Sequence, residues 1–266
     1  MTNAYTLTTG TRPLIVSMPH CGTAIPLHLQ DDYTPRALAT EDTDWHMPVL
    51  YDFAKVLGAS LIVPHYSRYV IDLNRPPDNS PMYPGASNTE LCPTRFFTGD
   101  PLYQNGRSPD RAEQLTRLEQ YWLPYHDALS SELSRLHKLH GHVLLWDAHS
   151  IRSEIPWLFE GRLPDINIGT ASGQAAHARI CDAVMEVSNS YPAFSFVHNG
   201  RFKGGYITRH YGQPDKGVHA VQLEMCQSLY MREVPPFDFL PEKANTIIKT
   251  IEAMVLAALT TLENLP

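Results

Sequence analysis

The sequence predicts an α/β fold in which helices cover a β-sheet. Short apolar runs bounded by turn residues read as buried strands, and amphipathic segments of helical spacing lie between them. The two kinds alternate along the chain, which is the pattern of an α/β sandwich. Composition agrees: 266 residues, 43% hydrophobic and 18% charged, suit a globular core rather than a disordered chain.

Taken in order, Pro13 to Met18 is a continuous apolar run, as expected of a strand covered on both faces. A polar loop leads to Glu41-Asp42-Thr43-Asp44, and Asp44 is placed to cap a helix from Met47 to Leu57 that Gly58 ends. Leu61 to His65 and Tyr69 to Leu73 are the next strand candidates. Arg75 to Pro101, rich in Pro, Asn, Ser and Gly, reads as a long irregular excursion, and loops of that length usually serve a function. Pro109 to His140 repeats Leu115, Leu118, Tyr121, Trp122, Tyr125, Leu129 and Leu133 at helical spacing, with a kink or break expected at Pro124 and a stop at Gly141. A strand follows, ending at His149. Ala175 to Val187 and Pro241 to Leu262 are further helices, the latter expected to pack on the sheet. Pro192 to His198 and Val218 to Met225 complete the strands. No repeat, heptad pattern or composition break divides residues 1–266, so one domain is expected.

The net charge of −7 argues against a nucleic-acid partner, which rewards a basic face. Cys21, Cys92, Cys181 and Cys226 form no CxxC pair and suit a reducing compartment. No basic start followed by an apolar stretch marks a signal peptide, and no uninterrupted apolar run approaches the roughly 18 residues of a membrane span. A cytoplasmic protein without a membrane partner is expected; oligomeric state is not legible.

Chemistry gathers where three apolar runs stop at ionisable residues: Leu14-Ile15-Val16-Ser17-Met18-Pro19-His20, Val143 to His149, and Val218 to Glu224. A catalytic zinc site takes about three protein ligands and leaves a position for water. His20 and His149 offer imidazoles at strand ends, and Asp42 or Asp44 offers a carboxylate. Of the 13 histidines most are expected to be surface or satisfied core residues, but these two end buried strands. Glu224 is a charge on an apolar strand, costly without a partner or a task. A carboxylate beside metal-activated water can act as general base; the plainer reading is a structural ion pair. Ser67 to Arg75 sets Arg68 and Arg75 around a short apolar run, with Asn74 beside them, a donor set suited to carboxylates. Asp72 could equally bridge Arg68 structurally. The Gly-rich stretch from Gly200 to Gly212 holds Tyr206 and Arg209 and reads as a mobile loop closing on a polar ligand, or as an ordinary hairpin loop. Neither a P-loop nor a dinucleotide fingerprint occurs. Ser17 or Ser150 as nucleophile lacks a GxSxG elbow, and Cys21 adjacent to His20 would point away from it on an extended chain.

Together Ser17-Met18-Pro19-His20-Cys21-Gly22, Asp42-Thr43-Asp44-Trp45-His46, Ser67 to Pro77, Asp147-Ala148-His149-Ser150-Ile151 and Gln222 to Gln227 resemble the N-formylglutamate amidohydrolase (deformylase) family of histidine degradation, which is related to the zinc carboxypeptidases. The resemblance spans nearly the whole chain in consistent order. It implies a single catalytic domain over residues 1–266, with a three-layer α/β/α sandwich around a mixed central sheet. It implies hydrolysis of N-formyl-L-glutamate to formate and L-glutamate. Zinc would be held by His20, His149 and an acid. Thr23 stands where the carboxypeptidase HxxE pattern has Glu, so the acid must come from the later loop, Asp44 in preference to Asp42. By the same resemblance Glu224 is the general base, Asn74-Arg75 binds a substrate carboxylate, and Arg68 holds a second carboxylate or polarises the scissile carbonyl. Tyr206 and Arg209 would close over the substrate, and Asp147 would orient His149 or another ligand, or equally serve a structural role at the strand end. Acetyl or succinyl in place of formyl, cobalt, manganese or iron in place of zinc, and a non-enzymatic metal-dependent amino-acid-binding protein remain as alternatives.

Overall fold

A computed structural model describes residues 3–81 and 89–265. The expected loop from Arg75 to Pro101 therefore lies partly outside the described residues. Among the described residues seven strands form one mixed sheet: β1 (Tyr5–Thr8), β2 (Leu14–Ser17), β3 (Ser60–Pro64), β4 (Val143–Ile151), β5 (Ile166–Gly169), β6 (Phe196–His198) and β7 (Val218–Cys226), in the order β1-β3-β2-β4-β7-β5-β6. The four central strands β3, β2, β4 and β7 run parallel, while β1 pairs antiparallel with β3 and β5 antiparallel with β7. Helices α1 (Leu27–Gln30), α2 (Met47–Leu50), α3 (Phe53–Val56), α4 (Arg111–Arg117), α5 (Leu123–His140), α6 (Ala178–Glu186), α7 (Tyr206–Tyr211) and α8 (Pro241–Glu263) cover both faces.

Strand alternation divides the core in two. Leu144, Trp146 and Ala148 of β4 join Val221, Leu223 and Met225 of β7 beneath α2, α3, α6 and α8. Val143 and Leu145 join Ala220 beneath α5 and α7. Helix α8 is long and apolar enough by length and composition to cross a membrane. Its buried stripe, Ala244, Ile247, Ile251, Met254, Val255, Ala258 and Leu262, belongs to the first of these cores.

Several expectations are corrected. Tyr69 to Leu73 is not a strand: its side chains are buried, but its carbonyls are taken by side chains from elsewhere. Tyr33 Oη donates to Tyr69 O at 2.8 Å, Arg117 Nη1 to Val70 O at 3.2 Å, and His126 Nε2 lies 2.8 Å from Leu73 O. An apolar run bonded in this way needs no sheet partner. Met47 to Leu57 is two short helices broken at Tyr51-Asp52, preceded by His46 at φ 63° rather than capped by Asp44. The long helix is interrupted by a π-type turn over Leu118–Trp122, and α5 resumes at Leu123 with Pro124 in its first turn. The Gly200 to Gly212 loop contains α7. Strands β1, sequence YTLT, and β5, sequence INIG, are not among the expected strands, because polar residues interrupt both, unlike the apolar run LIV of the equally short β2.

Candidate metal centre and active site

The parallel strands end along one edge of the sheet, and the predicted chemistry meets there, as expected for an open α/β sheet. Register places His149 directly beside Glu224, and Asp147 beside Gln222, on the face covered by α5 and α7. His20 follows β2, and the backbone N–H of Asp44 donates to His20 O at 3.0 Å, tying the acidic loop to that strand end. One ligand atom each from His20, Asp44 and His149 lies within 4.8 Å of the others, and all three residues are buried.

The two imidazoles face each other, Nδ1 to Nδ1, at 3.1 Å. Asp44 Oδ2 stands 3.3 Å from His149 Nδ1 and 3.8 Å from His20 Nδ1. The opposite nitrogens meet carboxylates: His20 Nε2 lies 2.7 Å from Asp72 Oδ1, and His149 Nε2 lies 3.1 Å from Asp147 Oδ1. The Asp72 acceptor behind His20 favours the proton on Nε2 and leaves its Nδ1 lone pair facing Asp44, whereas His149 Nε2 meets both the Asp147 acceptor and the Asn74 Nδ2 donor at 2.9 Å. Burial, aided by Arg68, lowers the pKa of His20 even though Asp72 opposes the shift. Burial acts the same way on His149, but Asp147 and Asp44 outweigh it and raise that pKa well above the ordinary value. Two imidazoles and one carboxylate form a donor set that fits a divalent cation.

Asp42 and Asp44 separate cleanly. Asp42 Oδ2 accepts from Tyr69 Oη and from Phe97 N, each at 2.9 Å, and Oδ1 accepts from Arg152 Nη2 at 2.5 Å. It is consumed in structural bonds. Asp44 Oδ2 accepts from Ser150 N at 3.1 Å and otherwise faces the histidines.

A cavity of about 400 Å³ opens beside the cluster, lined by Arg68, Arg75, Arg201, Phe159, Phe202 and Glu224 among others. Burial pushes the Glu224 carboxyl up to about 8; Asp44 adds to the shift, while His149 and Arg68 oppose it. That range suits a group exchanging protons near neutrality. Arg68 Nη2 donates to Asp72 Oδ2 at 2.7 Å, the structural bridge foreseen as an alternative, while Nη1 stands 4.0 Å from Asp44 Oδ1. Asn74 lines the cavity with its amide engaged: Oδ1 accepts from Ile207 N at 2.8 Å, and Nδ2 lies 2.9 Å from His149 Nε2. A Cβ on Gly205 would fall 2.4 Å from Asn74 Nδ2, so only glycine admits this contact. Tyr206 and Arg209 are not part of the cavity lining among the described residues. Tyr206 stacks on His210 with centroids 4.8 Å apart, and Arg209 Nε donates to Gly204 O at 2.8 Å.

Asp72, Arg201 and the pair Trp122 and His126 were not selected from sequence. Trp122 Nε1 donates to Arg75 O at 3.1 Å and His126 bonds Leu73 O, so the stacked pair, centroids 3.7 Å apart, braces the backbone that presents Asn74 and Arg75. Only the Ser67 to Arg75 motif hinted at Asp72. The serine and cysteine readings lose ground: Ser17 Oγ pairs with Tyr125 Oη at 3.0 Å, Ser150 Oγ accepts from Tyr230 Oη at 2.7 Å, and burial raises the Cys21 thiol.

Residues 12–231 match the family model described as N-formylglutamate amidohydrolase. The chain is 48% identical over 251 residues to an N-formylglutamate deformylase of Pseudomonas putida, covering 93% of this chain and 94% of that one. A second deformylase, from Pseudomonas aeruginosa, matches at 48% with the same coverage. Among solved structures, an N-formylglutamate amidohydrolase from Ralstonia eutropha JMP134 superposes with a TM-score of 0.81 at 22% identity, covering 98% of this chain and 97% of that one.

Proposed function

Since the chain belongs to the N-formylglutamate amidohydrolase family, we propose that it hydrolyses N-formyl-L-glutamate to formate and L-glutamate in histidine degradation, as a single catalytic domain acting on a free small molecule in the cytoplasm. The observation that carries this reading is one cavity holding a buried His20/Asp44/His149 cluster, an adjacent general-base candidate in Glu224, and three guanidinium groups suited to a substrate with two carboxylates.

His20, Asp44 and His149 would hold a divalent cation, zinc by preference, though the same donors accept cobalt, manganese or iron. Bound there, the cation supplies Lewis acidity toward the formyl oxygen and toward a water. Asp72 keeps the Nε2 proton of His20 in place, and Asp147 with Asn74 holds the His149 ring, so that both Nδ1 atoms face inward. Glu224 takes the proton from the attacking water and returns it to the glutamate nitrogen as the C–N bond breaks. Arg68, held by Asp72, turns its remaining N–H groups toward the developing oxyanion. Arg75 holds the α-carboxylate, and Asn74 braces His149 against the start of α7.

The test is formate release from N-formyl-L-glutamate beside N-acetyl and N-succinyl analogues, with elemental analysis of the purified protein. Chelation is expected to abolish activity and zinc to restore it. Full turnover by the stripped protein would exclude metal chemistry. No formate release from metal-loaded protein would exclude the substrate and favour the amino-acid-binding alternative.

A further inference from the structure

The three guanidinium groups of the cavity are not equivalent. Arg68 is neutralised by its buried pair with Asp72 at 2.7 Å. Arg75 Nε lies 3.9 Å from Asp72 Oδ2 and shares that carboxylate. Arg201 has no carboxylate within ion-pair distance among the described residues. Its Nη2 donates to the carbonyl of Leu158 at 2.5 Å, and its guanidinium carbon stands 4.9 Å from the Phe159 ring centre. Both partners are uncharged, so they orient the guanidinium without cancelling its charge. An oriented cation beside a catalytic cavity is ready for an anion that the protein does not itself supply.

Its surroundings define which anion. Leu158, Phe159, Phe202 and Ile151 form an apolar wall of the same cavity. A short methylene chain can lie on that wall and deliver a terminal carboxylate to Arg201. Arg201 itself is exposed at the cavity rim, so a carboxylate reaches it without first displacing a protein group.

We propose that Arg201 is a specificity-determining residue that binds the side-chain carboxylate of the substrate and selects N-formyl amino diacids over neutral N-formyl amino acids. The inference rests on the deformylase reading and assigns the second carboxylate to Arg201 rather than Arg68. It leaves the α-carboxylate to Arg75 and the chemistry to the cluster at the sheet edge.

The experiment compares N-formyl-L-glutamate with N-formyl-L-glutamine, which has the same shape without the charge, in metal-loaded wild type, Arg201→Met and Arg201→Lys. Inhibition by L-glutamate against L-glutamine is measured in parallel, so that selectivity can be read even where turnover of the amide is slow. In Arg201→Met, kcat/KM for the diacid is expected to fall about 10–100-fold, carried by KM, which is the effect of losing one charged hydrogen-bonded contact. The glutamine analogue and L-glutamine inhibition should change less than about threefold, and Arg201→Lys should recover part of the preference. Equal losses on both substrates would reduce Arg201 to a clamp on the Leu158 loop and overturn the proposal, as would an unchanged preference. Failure of wild type to release formate from either substrate would instead overturn the deformylase reading.

Discussion

The two faces of the central sheet are built from the same strands yet do opposite work. On one face β4 presents Leu144, Trp146 and Ala148, all fully buried, to an apolar core that α8 closes. On the other face the alternate residues begin as apolar, Val143 and Leu145, and end as Asp147 and His149. Strand β7 repeats the pattern, with Val221, Leu223 and Met225 against Ala220, Gln222 and Glu224. A side-chain period of two therefore lets one strand anchor the fold and hold the chemistry without compromise. On the second face the ionisable residues of β4 and β7 stand toward the C-terminal ends of the strands, where the covering layer opens into the cavity.

The contrast is broken most strongly by Glu224→Gln. The shape is kept and the proton acceptor lost, so kcat should fall by about 10²–10⁴, with metal content and melting temperature retained. Elemental analysis beside initial rates reads both, and a variant with near-normal turnover would remove Glu224 from the chemistry. Trp146→Ala tests the opposite face. Deleting a fully buried indole that donates to Tyr51 Oη at 2.9 Å should cost about 3–5 kcal/mol of stability. Denaturant titration measures that loss, while kcat/KM of the folded fraction should stay within about threefold of wild type. A collapse of activity at full stability would mean that the faces are not independent. The smallest effect is expected from Asp72→Asn, which weakens the hold on His20 and leaves Arg68 with a neutral partner. Metal affinity should drop about 10–100-fold, seen in competition with a chromogenic chelator, and unchanged affinity would show that His20 needs no carboxylate behind it.

Legibility in the sequence followed the range of the interactions involved. His149 and Glu224 were readable because a charge at the end of an apolar strand is conspicuous within a few residues. Arg68 and Arg75 were readable as a local pair around Asn74. Asp72 was visible only as a possible bridge to Arg68, because its contact with His20 joins positions 52 residues apart. Tyr206 and Arg209 attracted notice through the glycines around them, but α7 turns them away from the cavity lining, and Arg201 from the same stretch lines it instead. Tyr69 to Leu73 reads as a strand by composition, and no local signal reveals that Tyr33, Arg117 and His126 take its carbonyls.

The sequence by itself determined the α/β class and the buried strands that end in His149 and Glu224, and it offered His20, His149, Asp42 or Asp44, Arg68, Asn74 and Arg75 as candidates for binding a cation and a carboxylate. These follow from hydrophobic period and residue chemistry, which are local properties. Tertiary structure places Asp44, not Asp42, beside the two imidazoles, although the two are two residues apart and equally acidic. Tyr69, Phe97 and Arg152 surround Asp42, while the backbone of His20 draws Asp44 toward the imidazoles. It also gave Arg68 a counter-charge and left Arg201 with neutral partners. Such choices depend on which distant groups arrive beside a side chain, and chain spacing does not encode that directly.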